Sequence, residues 1–375
     1  MRAVVKHSGD PYTVRVKPPA RVLVRAPNWV GDLVMATAAF ARMRRAWPDA
    51  ELTVALRPYL RDLVAGAPWF DRIVEAPKSR GWKLFWEQVG RTRAGAYDLA
   101  VVLPNSFETA LIPFLARVPE RVGYRQGRPG LLTRGPRAVS ARPFWRRHGP
   151  RRVPEPMPQY YSRLLDSLGV PSADDRPRLC VAPAAAESVQ RWLVAKVPGT
   201  GPLVLMTAGA SFGASKLWPP EHFAAVARAL VAKRGARVVV LAGPAEVELA
   251  KSIADAAGDG VVAAADPVLR LAELAAICSR ADLMVTTDTG PRHVAVAFDV
   301  PTICLMGPTD SRYTDYALER QVVIQRRELE CVPCQRKVCP LGHHDCMRGI
   351  LPERVLAAAE QQLDAFPFPG RNECR

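Results

Sequence analysis

Residues 282–306, DLMVTTDTGPRHVAVAFDVPTICLM, decide the fold. Asp282–Thr287 is a short apolar run of strand type. Gly290–Phe298 has helical spacing, with Pro291 in its first turn, and Thr302–Met306 is a second apolar run. Two such strands joined by one short helix form a parallel pair with a crossover, buried on both faces. The turn between them, Thr286-Thr287-Asp288-Thr289-Gly290-Pro291-Arg292-His293, places the backbone N–H groups of Thr289 and Gly290 at a helix N-terminus. That position suits an anion such as a diphosphate. A simple helix cap made by Asp288 or Thr289 is the plain alternative.

The same alternation extends in both directions. Upstream, Leu203–Thr207, Arg237–Leu241 and Val261–Ala264 read as strands, with helices at Pro219–Arg234, Ala245–Ala257 and Leu269–Ser279. Nearer the N-terminus, strands are expected at Arg21–Arg25, Glu51–Leu56, Asp71–Val74 and Asp98–Leu103. Helices follow at Gly31–Trp47, Pro58–Ala65, Trp82–Arg93 and Phe107–Ala116. Residues 119–158 are rich in Pro and Arg with little periodicity, Gln159–Leu168 reads as a helix, and Asp174–Arg178 and Pro183–Glu187 read as linker. A last helix is expected over Pro352–Phe366. The pattern predicts an α/β fold of two Rossmann-like, doubly wound halves, with the ligand cleft between them at the carboxyl ends of the strands. Neither half contains GxGxxG; Gly209–Gly213 has the wrong spacing, so a dinucleotide-binding reading is weak.

At 375 residues, the chain is too long for one ordinary core, and 49% hydrophobic residues supply two. No apolar run reaches the ~18 residues of a membrane span, and the first residues lack a signal-peptide core. The expectation is a soluble, cytoplasmic protein. Lys and Arg total 52 against 36 acids, a formal charge of +16, which points to a polyanionic partner. Codon bias toward Arg, Ala and Pro accounts for part of the excess. The stretch Arg121–Arg152, with ten Arg and no acid, resists that explanation. A nucleic-acid-binding protein is the rival class, but no aromatic run is interleaved with the basic residues to stack on bases.

Three further strand-to-helix turns are polar. Arg25-Ala-Pro-Asn28-Trp29-Val-Gly31-Asp32 puts a carboxylate at the carboxyl edge of the first strand, either facing the cleft or favouring a helix N-terminus. Thr207-Ala-Gly209-Ala-Ser211-Phe-Gly213-Ala-Ser215-Lys216 offers small residues and one cation to a phosphate. Gly243-Pro244-Ala-Glu246 could present an acceptor to a ribose or an ordinary first-turn acid. Finally, Cys331, Cys334, Cys339 and Cys346 lie within sixteen residues, with His343 and His344 among them. Four thiols at this spacing suit a structural zinc or an iron–sulfur cluster; disulfides or free thiols are the alternatives.

The strings RAPNWVGDLVMAT, GASFGASKLWPPEHF, DTGPRHVAVAFDVP, GPTD and CVPCQRKVCPLGHHDCM, in this order across residues 21–347, resemble glycosyltransferase family 9, the ADP-heptose:lipopolysaccharide heptosyltransferases, and most closely its heptosyltransferase II branch. The resemblance implies a GT-B architecture whose C-terminal helix crosses back to the first domain. The expected division is an acceptor-binding domain at 1–180, a nucleotide-sugar domain at 181–350 and a helix and tail at 351–375. The implied reaction is inverting, metal-independent transfer of a heptose from an ADP-sugar to an anionic lipid A-core at the cytoplasmic face of the inner membrane. A GT-B enzyme that hydrolyses or epimerises a nucleotide sugar is a further alternative.

Carried over by residue, Asp32 would be the general base. Thr207, Ser211, Lys216, Glu246, Asp288, Thr289, Gly290 and His293 would bind the donor. Asn28, Arg125, Arg128 and Arg134 would meet the acceptor, and Cys331, Cys334, Cys339 and Cys346 would hold the zinc. No cofactor is implied for catalysis, and nucleic acid is not an expected partner. Two positions depart from the family pattern: Ala38 follows Thr37 where Pro is common, and Arg292 stands where a small apolar residue is usual.

Overall fold

The computed structural model describes residues 18–79, 81–128, 130–138, 153–172 and 174–367. The first unit contains β1 (Arg21–Arg25), α1 (Val30–Met35), α2 (Thr37–Ala46), β2 (Glu51–Leu56), α3 (Arg61–Val64), β3 (Arg72–Glu75), α4 (Trp82–Ala94), β4 (Leu99–Val102), α5 (Phe107–Leu115) and β5 (Glu120–Gly123). Two helices, α6 (Met157–Asp166) and α7 (Pro183–Lys196), lead to the second unit. That unit contains β6 (Leu203–Thr207), α8 (Pro220–Arg234), β7 (Arg237–Leu241), α9 (Val247–Ala257), β8 (Val261–Ala264), α10 (Leu271–Cys278), β9 (Leu283–Thr287), α11 (Gly290–Ala297), β10 (Thr302–Met306), β11 (Gln321–Gln325), α12 (Asp345–Arg348) and α13 (Pro352–Ala365).

Every strand pairing is parallel. The first sheet runs β3-β2-β1-β4-β5 and the second β11-β10-β9-β6-β7-β8. In each, strand order reverses at one point, between β1 and β4 and between β6 and β9. Loops leaving adjacent strands there diverge to opposite faces and open a crevice. The first turn of α1, which follows β1, carries Asp32, the loop after β6 carries Lys216, and the loop after β9 carries Asp288. The chain thus aims its polar turns at both switch points.

Two expectations are corrected. Pro183–Glu187 is not linker but the opening of α7, whose Ala185, Val189 and Leu193 are buried at four-residue spacing. Its Ala-rich composition hid a narrow apolar stripe. Nor does the last helix, as far as Ala365, cross back. Val355, Ala359 and Leu363 of α13 belong to the core of the second sheet, and the helix packs on α8, β9 and β10. The halves are instead tied by one apolar cluster that runs from Val22 and Val24 through Leu164, Leu165 and Val189 to Ile277 and Val294. Of the Arg-rich segment, residues 121–128 and 130–138 are described; 129 and 139–152 lie outside the described residues.

Candidate active site

The two units meet helix end to helix end. A Cβ on Gly31, in α1, would stand 2.6 Å from Cδ2 of His293, and one on Gly290, at the start of α11, would stand 2.8 Å from Val30. Neither position leaves room for a side chain, so each glycine backbone packs against a side chain of the other unit, and Asp32 is held one residue from the contact. Burial and the negative charge of Asp32 raise the phenol pKa of Tyr59, with Arg57 opposing them. The phenol also donates to the carbonyl of Asn28.

Across the contact, Asp288 collects cations. Lys216 Nζ donates to its Oδ2 at 2.8 Å and to its carbonyl at 2.7 Å. Arg292 Nη1 reaches Oδ1 at 3.1 Å, and Thr309 Oγ1 donates to Oδ2 at 2.8 Å. Burial alone would push the Asp288 carboxyl pKa up; Lys216, Arg292 and His293 outweigh it and hold the group below the usual carboxylate range. With Lys216 and Arg292 charged and Asp288 ionised, the cluster keeps one net positive charge. Arg292, the departure from the family pattern, supplies it: Lys216 and Asp288 alone would cancel. Its remaining donors go to Gln321 and Thr314. His293 is held neutral, its pKa lowered to about 3 by burial and by Arg292 and Lys216 against the opposing Asp288. Its Nδ1 lies 2.7 Å from the Tyr316 hydroxyl.

The loop bearing Lys216 is braced. Trp218, fully enclosed, donates from Nε1 to the Ile350 carbonyl at 2.8 Å. Gly213, at φ +154, leaves no space for a Cβ against the Lys337 carbonyl, 2.4 Å away. Ser215 Oγ donates to the Arg336 carbonyl, and the Ser215 carbonyl lies 2.7 Å from His344 Nε2. The cysteine-bearing loop is therefore a buttress for Lys216. Its four cysteines are unbridged and line one small pocket with Ser215. Among the described residues, no group of three or more His, Cys, Asp or Glu is arranged to hold a metal ion, so the zinc expectation gains no support.

Other expected donor residues gather nearby. Glu246 accepts from the Gly243 amide at 3.0 Å, and its carboxylate fills the space beside Gly209 that a Cβ would need. Thr207 is buried and bonds Thr286 on the neighbouring strand, so it serves the sheet; Ser211 is exposed on the loop. Thr289 lies within 3.4 Å of Thr286 Oγ1.

On the acceptor side the expected residues separate. Arg125 is exposed. Arg134 is paired with Glu120 at 2.7 Å. Arg128 is 1% exposed and gives its donors to the Pro104, Ser106 and Tyr124 carbonyls and to Asn105. So enclosed, the guanidinium holds the β4–α5 turn through both Nη atoms, while its Nε is buried without a partner. Sequence reasoning passed over Thr309, Tyr316 and Arg57. The first belongs to the GPTD string, but nothing in the sequence pairs it with Asp288.

With this geometry in view, the chain can be set beside known proteins. The family description glycosyltransferase family 9 (heptosyltransferase) matches residues 86–344. Lipopolysaccharide heptosyltransferase 2 of Salmonella typhimurium is 29% identical over 349 residues, covering 90% of this chain and 96% of that protein. Lipooligosaccharide heptosyltransferase 2 of Haemophilus influenzae is 27% identical, covering 91% and 99%. Among solved structures, Escherichia coli ADP-heptose heptosyltransferase II shares the fold with a TM-score of 0.73 at 24% identity, covering 93% of this chain and all of that one. The match over most of the chain, on top of the paired sheets and the Lys216–Asp288 centre, settles the lineage: this protein belongs to glycosyltransferase family 9.

Proposed function

We propose that the protein transfers a heptose from ADP-heptose to the inner core of lipopolysaccharide, with inversion at the anomeric carbon. The observation that carries this reading is the packing of Val30-Gly31, next to Asp32, against Gly290 and His293, the turn that also carries Asp288 and Arg292 with Lys216 bound to it. Supporting it, the relatives similar along nearly the whole chain are named as heptosyltransferases 2. An acceptor hydroxyl attacks the anomeric carbon as the bond to the β-phosphate oxygen breaks. Asp32 takes the hydroxyl proton, and ADP leaves with the electron pair. Lys216 and the amides opening α11 receive the charge growing on the diphosphate. The one net positive charge of the cluster does this with the chain's own residues, consistent with chemistry that needs no divalent metal. Glu246 accepts from the ribose, in a nucleotide-sugar domain following residue 180 and facing an acceptor domain before it.

No helix among the described residues is long and apolar enough to cross a membrane. Trp82, Trp86, Phe107 and Phe114, exposed on α4 and α5 beside Arg93 and Arg117, give the first unit a face suited to peripheral contact with an anionic lipid surface from the cytoplasm.

Asp32→Asn tests the reading. Transfer from ADP-heptose should fall by ~10²–10⁴ while ADP binding and melting temperature stay put. An Asn variant that turns over like the parent removes Asp32 from the role of base.

A further inference from the structure

Four arginines are buried among the described residues: Arg25, Arg42, Arg128 and Arg292. Three give their Nη donors to protein oxygens, although Arg128 Nε is itself enclosed without a partner. Arg42 donates to the carbonyls of Ser162, Val170 and Pro171, to Ser162 Oγ and to Asp166. Arg128 and Arg292 are bonded as described above. Arg25 differs. It is 6% exposed, its Nε is enclosed without any hydrogen-bond partner, and Glu108 acts on it only through space. Burial and the like charge of Arg57 drive its pKa down to about 10, with Glu108 opposing. A guanidinium is among the most expensive groups to bury unpaired. Arg57, which follows β2 and gives Nη1 to the Ala76 carbonyl at 3.2 Å, adds a second cation where an acid would be expected.

Strand alternation explains where Arg25 points. Val22 and Val24 face the large core, while Leu23 and Arg25 face α4. Beneath α4 lies a cavity of about 290 Å³ lined by Arg25, Arg72, Arg91, Glu75 and Gln88 among others. The other charges on it are matched: Arg72 with Glu51 at 3.2 Å, Arg91 with Glu87 at 3.4 Å, and Glu75 with Arg61 at 3.6 Å. Arg25 is left as the uncompensated charge. Gln88 brings a second orphan: its Nε2 donates to Pro77 and Ser79, but its Oε1 is enclosed without a partner. The cavity thus offers donors for an oxyanion and one acceptor for a hydroxyl.

We propose that this cavity is a binding site for a small oxyanion that also carries a hydroxyl, namely hydrogen phosphate, a phosphate monoester or the carboxylate of an acidic sugar, anchored by Arg25. Arg25 ends β1, seven residues before Asp32 and on the same carboxyl edge, so the ligand is either an anionic group of the acceptor or free phosphate. The acceptor source rests on the transfer reading above; the free-anion source does not.

Inorganic phosphate is the probe. Titrated into the full chain, it should raise the melting temperature of the parent and leave that of Arg25→Met unmoved. Without phosphate, Arg25→Met should melt no lower than the parent, because it removes an unpaired buried charge. A parent indifferent to phosphate, or a variant that responds equally, overturns the site. Should Arg25→Met fail to fold, Gln88→Met keeps the charge and removes the orphan acceptor: a weakened phosphate response supports the site, and an unchanged one overturns it. Acceptor kinetics then identify the source. A rise of about ten-fold in acceptor KM at constant kcat, the loss expected of a charge-assisted contact, assigns the site to the acceptor. A lost phosphate response with unchanged KM assigns it to free anion. If the parent transfers nothing, the transfer reading fails while the phosphate result still stands.

Discussion

Arg25, at the end of β1, and Arg292, in the first turn of α11 after β9, are treated in opposite ways. Each stands near the carboxyl edge of its sheet, at the switch point, and each is buried. Arg292 is met by Asp288, Gln321 and Thr314, and its charge is passed through Asp288 to orient Lys216. Arg25 Nε meets no hydrogen-bond acceptor among the described residues. The second unit is therefore preorganised: its charges are fixed before the donor arrives, so little reorganisation opposes the departing diphosphate. The first unit leaves part of its charge for the ligand to satisfy. Affinity on that side is gained by relieving an internal cost, and discrimination follows, because a neutral ligand would leave the cost in place.

The comparison breaks most directly at Asp288. Asp288→Ala should cost ~3–5 kcal/mol of stability, since it leaves Lys216 and Arg292 side by side without a counter-charge. Chemical denaturation of the two proteins measures it. A loss below ~1 kcal/mol would mean that the cluster is as wet as a surface ion pair and that the second unit is not preorganised.

Acid tests the same centre through His293. Its pKa falls from 6.5 to about 3 on folding, so the unfolded chain takes up the proton first. The stability due to its neutral form is whole above 6.5 and is lost as pH falls toward 3. The limiting slope is ~1.4 kcal/mol per pH unit. His293→Gln should flatten that slope between pH 6 and 4, a range set by the same shift. An identical slope in the variant would place the acid sensitivity elsewhere.

Much of this was legible in the sequence, for identifiable reasons. Fully buried parallel strands such as Leu203–Thr207 and Arg237–Leu241 are continuous apolar runs, and their bounds were read without error. The edge strands Glu120–Gly123 and Gln321–Gln325 were missed because edges are half wet and break the run. Polar turns announced the donor side, where ligand-binding residues are neighbours in sequence. The basic residues of the first unit were harder to read. Counting arginines drew attention to Arg128, which the fold consumes internally, and passed over Arg25, hidden inside the strand RVLVR. Composition reports how many charges a segment has, not which of them the backbone has already satisfied.

The seam between the units offers a middle-sized effect. Gly31→Ala inserts a methyl 2.6 Å from His293 Cδ2, with Val30 and Gly290 already in contact behind it. The ring, held by Tyr316 on its other side, cannot retreat without losing that bond. Overpacking of this kind costs ~1–3 kcal/mol. Because the strain falls one residue from Asp32, the proposed base, kcat should drop more than either KM. Wild-type kcat in a folded Gly31→Ala protein would show that the cleft adjusts its width freely.

The smallest effect separates an enclosed cation from an exposed one within the first unit. Arg125 is exposed, so it can attract an anionic acceptor only across water and salt. Arg125→Gln should leave stability within ~0.5 kcal/mol of the parent, as for most surface changes. It should raise acceptor KM about two- to three-fold at low ionic strength and by nothing measurable near 1 M salt, where the Debye length is ~3 Å. Arg25 works inside a cavity that ions screen poorly, so the KM defect of Arg25→Met should survive the same salt. If both defects vanish together in salt, Arg25 is reaching its ligand through solvent, and the contrast between the two buried arginines collapses. If only the Arg125 defect vanishes, the acceptor side carries two separable electrostatic devices, one that gathers the anion and one that seats it.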